Sequence, residues 1–111
     1  MNKVSEVTFI SNNLKETYHE LETGKFEDKK LFNFINRARN DLLQNPLCGI
    51  HIPNRLIPEE YTKNYGLTNL WKYDLPDGWR LLYTLLGDEL KIVAVILEWL
   101  THKEYERRFS Y

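Results

Sequence analysis

The sequence lacks the features that mark several large classes of protein. Its single cysteine, Cys48, cannot form an internal disulfide and has no second ligand at metal spacing, so we expect a small buried side chain there. The longest apolar run, residues 92–97, is much shorter than the roughly 20 residues of a membrane-spanning helix. No apolar targeting segment lies near the start. We therefore expect a cytoplasmic protein that makes no contact with membranes.

An excess of charge of either sign is also missing. The chain has 15 Lys and Arg residues against 16 Asp and Glu residues, which gives a formal net charge of −1. Domains that bind nucleic acids are usually basic, so the overall charge does not predict a nucleic-acid ligand. Any anion-binding site in this chain must therefore be local.

The chain does have enough apolar surface for one packed core. Its 111 residues are the size of one ordinary domain, so we expect a single domain over residues 1–111. Hydrophobic residues make up 42% of the chain and aromatic residues 14%, which excludes a disordered protein. We expect Trp71, Trp79 and Trp99 to belong to the core.

The N-terminal half predicts one strand followed by two helices. Residues 7–10 favour a strand, and Ser11 can cap the helix that follows. An apolar stripe at helical spacing then runs to Gly24, and Asp28 can cap a second, longer helix that ends at Asn45. The apolar stripes of the two helices are Leu14, Tyr18 and Leu21, then Leu31, Ile35, Ala38 and Leu42.

The C-terminal half predicts a meander of three strands. Residues 48–66 are interrupted by prolines and predict mostly loop, with one helical turn starting at Pro58. Apolar runs over residues 70–75 and 79–86 flank an Asp-Gly turn, which is typical of a hairpin. The run over residues 90–99 is apolar on both faces, so it predicts a central strand. Thr101 can then cap a short final helix over residues 102–108.

This order of elements and three of its segments resemble the RelE/ParE superfamily of toxins. The matching segments are residues 70–73 before the hairpin, residues 79–83 after it, and residues 102–106 at the end. The resemblance implies an α+β, RelE-like fold, in which an N-terminal strand and two helices pack on a small, mainly antiparallel sheet with a short C-terminal helix. The N-terminal helices match in placement only.

The same resemblance implies the toxin of a type II toxin–antitoxin system, an endoribonuclease that cleaves mRNA on the ribosome without a metal or other cofactor. Its partners would be the mRNA, the ribosome and a cognate antitoxin, which would silence it in a toxin–antitoxin hetero-oligomer. The alternative is a non-catalytic, ParE-like or inactivated relative that acts by binding gyrase or an antitoxin.

Metal-free cleavage of RNA needs a base, a cation and an acid, and the C-terminal part of the chain contains each type. Arg80 matches the strand arginine of the family and would bind the phosphate, or it is a surface arginine or forms a salt bridge to Glu98. His102 matches the C-terminal histidine and would transfer a proton, or it only packs at a helix start.

Tyr105 and Glu98 complete the predicted catalytic set. Tyr105 lies three residues after His102, on the same helix face, and would stack on a base, or it is a core aromatic. Glu98 would be a general base, or it pairs with Arg80 or Lys72. Strand alternation predicts that it shares a face with Ala94 and Ile96. The predicted RNA contacts, for which ordinary solvated side chains are the alternative, are Lys72, Lys103, Arg107, Arg108 and Tyr111.

Overall fold

The computed structural model, which describes residues 4–110, has an α+β fold, so the predicted class is confirmed. In this part of the chain five strands form one mixed sheet and four helices accompany it. The strands are β1 (Val4–Phe9), β2 (Ile50–Ile52), β3 (Leu70–Asp74), β4 (Arg80–Gly87) and β5 (Lys91–Leu100). The helices are α1 (Asn12–Leu21), α2 (Phe26–Gln44), α3 (Glu59–Tyr65) and α4 (His102–Arg108).

The order of strands across the sheet is β1-β5-β4-β3-β2. β5 is central, as its continuous apolar run predicts, and pairs in parallel with β1 and antiparallel with β4. The remaining pairs are antiparallel, so β3, β4 and β5 form the expected meander. β1 and β2 are the two edges.

Each face of the sheet has its own apolar core. The α1/α2 face holds the helix stripes together with Leu81, Tyr83 and Ile96, and all three tryptophans pack against this core. The opposite face holds Leu82, Leu97 and Leu100 and is covered by α3 and α4 through Tyr61, Tyr105 and Phe109. We call this second side the α3/α4 face. It is the face that carries the candidate site.

Local hydrogen bonds explain where the first two helices begin. The Leu14 amide donates to Ser11 Oγ at 3.1 Å, which confirms Ser11 as the cap of α1. α1 ends at Leu21, and a turn leads on to Gly24. α2 begins at Phe26, before the expected cap, because the Asp28 carboxylate accepts from the Lys25 amide at 3.1 Å from inside the first turn.

The turn between β3 and β4 contains two residues in the left-handed region. Asp77 has φ of 61° and Gly78 has φ of 80°, the conformation for which Asp and Gly are suited. The Leu75 amide closes the turn by donating to the Trp79 carbonyl at 2.9 Å. The hairpin is therefore fixed in the register that pairs Asp74 with Arg80.

A β-bulge in β5 changes which way its last residues point. Leu82 pairs with Glu98, but the next residue, Tyr83, pairs with Ile96, so Leu97 is an extra residue in β5. The expectation that Glu98 shares a face with Ala94 and Ile96 was wrong. The bulge moves it to the α3/α4 face, because simple alternation fails across an inserted residue.

The environment of Cys48 also differs from the expectation. Its side chain is exposed, so the prediction of a small buried side chain was wrong. In the turn between α2 and β2 the buried position is taken by Pro46, whereas Leu47 and Cys48 point outward. Although the residue is exposed, neighbouring protein atoms partly shield its thiol from water, and this desolvation, followed by the nearby Asp41 carboxylate, raises the pKa of Cys48.

Candidate functional site

The β3–β4 hairpin brings two cations to one carboxylate on the α3/α4 face. Asp74 Oδ1 lies 3.0 Å from Arg80 Nε and 3.2 Å from Lys72 Nζ. Asp74 and Arg80 are paired in the hairpin, and Lys72 lies on the same face of β3 because side chains alternate along a strand. We call these three residues the Asp74 cluster. It carries one positive charge in excess, in a chain that is otherwise almost neutral.

The Arg80 guanidinium contacts two residues of its own hairpin, Trp79 and Asp74. Its Nη1 donates to the Trp79 carbonyl at 3.2 Å. Its Nε lies close enough to Asp74 for an ion pair, but the angle does not allow a hydrogen bond. The side chains of Arg80 and Lys72 are each 19% exposed. Such partly covered cations interact more strongly with an anion than fully solvated ones do. The predicted salt bridge from Arg80 to Glu98 is replaced by the ion pair with Asp74.

Tyr105 of α4 lies against both cations. The ring centroid is 5.6 Å from Arg80 Cζ and 5.3 Å from Lys72 Nζ, within the range of cation–π contacts. The ring also stacks on Phe109 at 4.5 Å between centroids, and it is half-buried against the core of the α3/α4 face. Tyr105 therefore connects α4 to the two cations and to the core at once.

His102 is at the start of α4, beside the β3–β4 turn. A methyl group built on Gly78 would lie 3.1 Å from His102 Cβ, so the histidine and the hairpin that carries Arg80 are neighbours. The imidazole is exposed, and its Nε2 lies 2.9 Å from Glu106 Oε1. Thr101 caps α4 as predicted, because its hydroxyl accepts from the Glu104 amide at 3.2 Å. Hydrogen bonds from Thr101 also hold the pKa of Glu104 below its usual range.

Glu98 lies in a second group of charged side chains, away from Arg80. Its Oε2 accepts from the Tyr61 hydroxyl at 2.5 Å and from Arg108 Nη1 at 2.8 Å. Arg108 Nε also pairs with Glu60 at 3.0 Å. We call these four residues the Glu98 cluster. Glu98 is paired with Arg108, not with Arg80 or Lys72 as the sequence-based alternatives had it. Burial, and then the hydrogen bond to Glu98, raises the pKa of Tyr61.

The other predicted RNA contacts differ in their surroundings. Lys103 and Arg107 are exposed on α4, and Arg107 lines an open groove of about 300 Å³ with Glu60, Glu104 and Arg108. Arg108 is partly covered and occupied by the Glu98 cluster. Tyr111 lies outside the described residues. The structure thus brings Lys72, Arg80 and Tyr105 together, with His102 beside their hairpin.

Asp74 and Tyr61 were not predicted as members of either group. Asp74 could have been found, because residues 74 and 80 are equally far from Asp77 at the centre of the turn, and a hairpin pairs such residues. The role of Tyr61 could not be predicted from the sequence, since its contact with Glu98 joins residues 37 positions apart.

A pocket of about 460 Å³ adjoins Asp74 and is lined also by Arg37 and Tyr73.

Two properties of the described part of the chain bear on possible ligands. In residues 4–110 no group of three or more His, Cys, Asp or Glu side chains is placed to hold a metal ion. In the same range, no helix has both the length and the apolar character needed to cross a membrane.

Comparison of the chain with protein-family models, with curated proteins and with solved structures finds no match.

Proposed function

We propose that this chain is a RelE/ParE-like toxin that binds mRNA on the ribosome through the Asp74 cluster and cleaves it without a metal. The observation that carries the proposal is the positive charge of Lys72 and Arg80, concentrated on one face of a nearly neutral chain. A phosphate is the group that two adjacent cations bind best, and a guanidinium binds it with two parallel hydrogen bonds.

Cleavage would use these cations for the charge that builds up on the phosphate in the transition state. Arg80 would stabilise the non-bridging oxygens, and Lys72 would add a second positive charge nearby. His102, exposed and beside the hairpin, would exchange a proton with the departing oxygen. Tyr105 supports both cations, and Lys103 and Arg107 would contact phosphates further along the message.

Toeprinting on translating ribosomes tests this proposal. Wild-type protein should produce new message ends at a defined codon position, and Lys72→Ala should reduce them strongly because one of the two phosphate-binding cations is lost. Lys91→Ala is a suitable control, because Lys91 is a surface lysine that pairs with Glu6 at 2.8 Å on β1. A reaction with no new message ends at any protein concentration would contradict the proposal.

One observation favours the alternative, a non-catalytic relative that binds gyrase or another protein. Glu98, the predicted general base, is occupied by Tyr61 and Arg108, so this carboxylate has a structural environment. An inhibitor of gyrase would leave mRNA intact and trap cleaved DNA in a gyrase supercoiling assay. The two assays therefore separate an mRNA-cleaving toxin from a gyrase-binding one.

A toxin of this kind would need a cognate antitoxin, which we expect to be encoded beside it. An antitoxin segment that is disordered when free would fold over the Asp74 cluster and α4. Because the toxin has almost no net charge, we expect the affinity to come mainly from apolar contacts. Co-purification with the neighbouring small protein at low and at moderate salt tests this, and a complex that dissociates at moderate salt would contradict it.

A further inference from the structure

The proposed reaction needs a group that removes a proton from the 2′-hydroxyl of the RNA. Glu98 was expected to do this, but it lies with Tyr61 and Arg108 and makes its ion pair with Arg108, whereas Lys72 and Arg80 pair with another carboxylate. Glu106 pairs with His102. The carboxylate that lies with the phosphate-binding cations is Asp74.

The two oxygens of Asp74 have different surroundings. The ion pairs with both cations are made through Oδ1, at 3.0 Å from Arg80 Nε and 3.2 Å from Lys72 Nζ. The Asp74 side chain is 45% exposed, whereas Lys72 and Arg80 are 19% exposed. Asp74 is therefore held in place through one oxygen, while the side chain as a whole remains more accessible than the cations that hold it.

We propose that Asp74 is the general base of the cleavage reaction, an inference that rests on the proposed function. With the phosphate on Arg80 and Lys72, Asp74 Oδ2 takes the proton of the 2′-hydroxyl. The 2′-oxygen then forms a bond to phosphorus, and the bond from phosphorus to the 5′-oxygen breaks. Protonated His102 gives a proton to that leaving oxygen. The products are a 2′,3′-cyclic phosphate and a 5′-hydroxyl, and the proton on Asp74 later returns to water.

The groups around Asp74 are three cations and one aromatic ring, and they come from four elements. Lys72 of β3 and Arg80 of β4 contact it directly, Arg37 of α2 lines the adjoining pocket, and Tyr105 of α4 lies against the two cations. The same contacts that hold the carboxylate also hold the cations that would bind the phosphate. Base and phosphate would therefore be positioned relative to each other by one hairpin, which is the condition for efficient proton transfer.

Asp74→Asn tests the inference, because it keeps the size of the side chain and removes the base. The rate would be measured in single turnovers on a ribosome complex programmed with a short message. Binding would be measured on the same complex with a 2′-O-methylated codon, which has no 2′-hydroxyl proton to lose. Asp77→Asn is the matched control, since Asp77 is an exposed aspartate in the same hairpin, pairs with Lys30 at 2.8 Å, and has a backbone conformation that Asn tolerates.

We expect Asp74→Asn to lower the cleavage rate by about 100- to 10,000-fold, the usual contribution of a general base. Binding of the methylated complex should be unchanged or tighter, because a negative charge beside the phosphate is removed. Asp77→Asn should match the wild type in both measurements, and the melting temperatures should show that both variants fold.

Two results would overturn the role of Asp74 while leaving the proposed function intact. One is an Asp74→Asn rate within about threefold of the wild type, below the contribution of any general base. The other is a loss of rate matched by an equal loss of binding, which would make Asp74 only an anchor for the cations. If the wild-type protein does not cleave the message, the proposed function and this inference both fail.

Discussion

The Asp74 cluster and the Glu98 cluster lie on the same face of the sheet and are built from similar parts, but their charges add up differently. The Asp74 cluster has two cations for one carboxylate. The Glu98 cluster has one cation, Arg108, for two carboxylates, and the Tyr61 hydroxyl donates a further hydrogen bond. One cluster therefore has a positive charge available for an anion, and the other has none.

This difference separates a candidate anion site from an ion-pair network that joins secondary-structure elements. In the Glu98 cluster the charged groups join α3, α4 and β5, so their contacts hold the short helix α4 on the sheet. In the Asp74 cluster the contacts stay within one hairpin and leave the sum of charges unbalanced. We expect changes in the first cluster to affect stability and changes in the second to affect activity.

After Asp74→Asn, the largest expected effect is that of Arg80→Ala on cleavage. Loss of the guanidinium should lower the rate by about 100- to 1,000-fold, the range seen when one group that stabilises transition-state charge is removed. The free energy of unfolding should fall by only about 1 kcal/mol, because a partly exposed ion pair contributes little. Toeprinting and urea unfolding measure the two effects.

Arg39→Ala is the control for Arg80→Ala. Arg39 also lies over a tyrosine ring, at 5.1 Å from the Tyr18 centroid, but it belongs to α2 and contacts the other side of the molecule. Its loss should leave the cleavage rate of the folded protein within about twofold of the wild type, inside the ordinary scatter of surface changes. Equal losses of activity in the two variants would show that the effect of Arg80→Ala is not specific to the Asp74 cluster.

His102→Gln should have the next largest effect, a fall in rate of about 100-fold, because Gln cannot transfer a proton. The pH dependence of the rate should also change. His19→Gln, on the exposed side of α1, is the control and should have neither effect. A pH profile identical to that of the wild type would exclude His102 from proton transfer.

Glu98→Gln should act on stability and not on chemistry. Arg108 would lose the charge of its central partner, so the free energy of unfolding should fall by about 1–2 kcal/mol. Glu6→Gln breaks the exposed pair with Lys91 and should cost less than about 1 kcal/mol. A large loss of cleavage by folded Glu98→Gln protein would instead return Glu98 to a catalytic role.

The last expected effect appears at alkaline pH, where the Tyr73 hydroxyl loses its proton and can no longer donate its hydrogen bond to Asp41. Burial, and then the hydrogen bond to Asp41, raises the pKa of Tyr73 from 10.0 to about 12. The folded state therefore disfavours the phenolate. The stability that comes from neutral Tyr73 is fully present below pH 10 and is lost as the pH rises towards 12.

Urea unfolding of the wild type and of Tyr73→Phe at pH 8 and near pH 11 measures this dependence. Burial also raises the pKa values of Tyr61 and Tyr83, so the wild type should lose stability in the same direction through all three residues. Tyr73→Phe should lose less between the two pH values. An equal loss in both proteins would show that Tyr73 does not contribute.

Much of the fold was predictable because it depends on local pattern. The bounds of α4, its Thr101 cap and the central place of β5 all followed from residues close together in the sequence. The surroundings of Glu98 did not, since they depend on an inserted residue in β5 and on a distant tyrosine. The exposure of Cys48 depends on how one turn is oriented, which composition does not encode.

The candidate site was predictable in its residue types and less so in its partners. Arg80 and Tyr105 were predicted as catalytic residues and Lys72 as an RNA contact. The structure places the Tyr105 ring against both cations. Asp74 was not predicted, because its residue type does not mark it as part of the site. It is identified only when residues are paired across the centre of the turn. Side-chain pairs across a turn can be derived from the turn centre, whereas pairs between separate elements need the whole fold.

The extra residue Leu97 determines to which face of the sheet the last residues of β5 point. If Leu97 instead paired regularly with Leu82, Glu98 would pair with Leu81 and point into the apolar layer under α1 and α2, and Trp99 would point the opposite way. Arg108 would then lose its main carboxylate, and α4 would leave β5 from the wrong side of the sheet. One extra residue in β5 therefore decides on which side of the sheet the end of the chain packs, and we expect deletion of Leu97 to leave Glu98 opposite Leu82, on its present face.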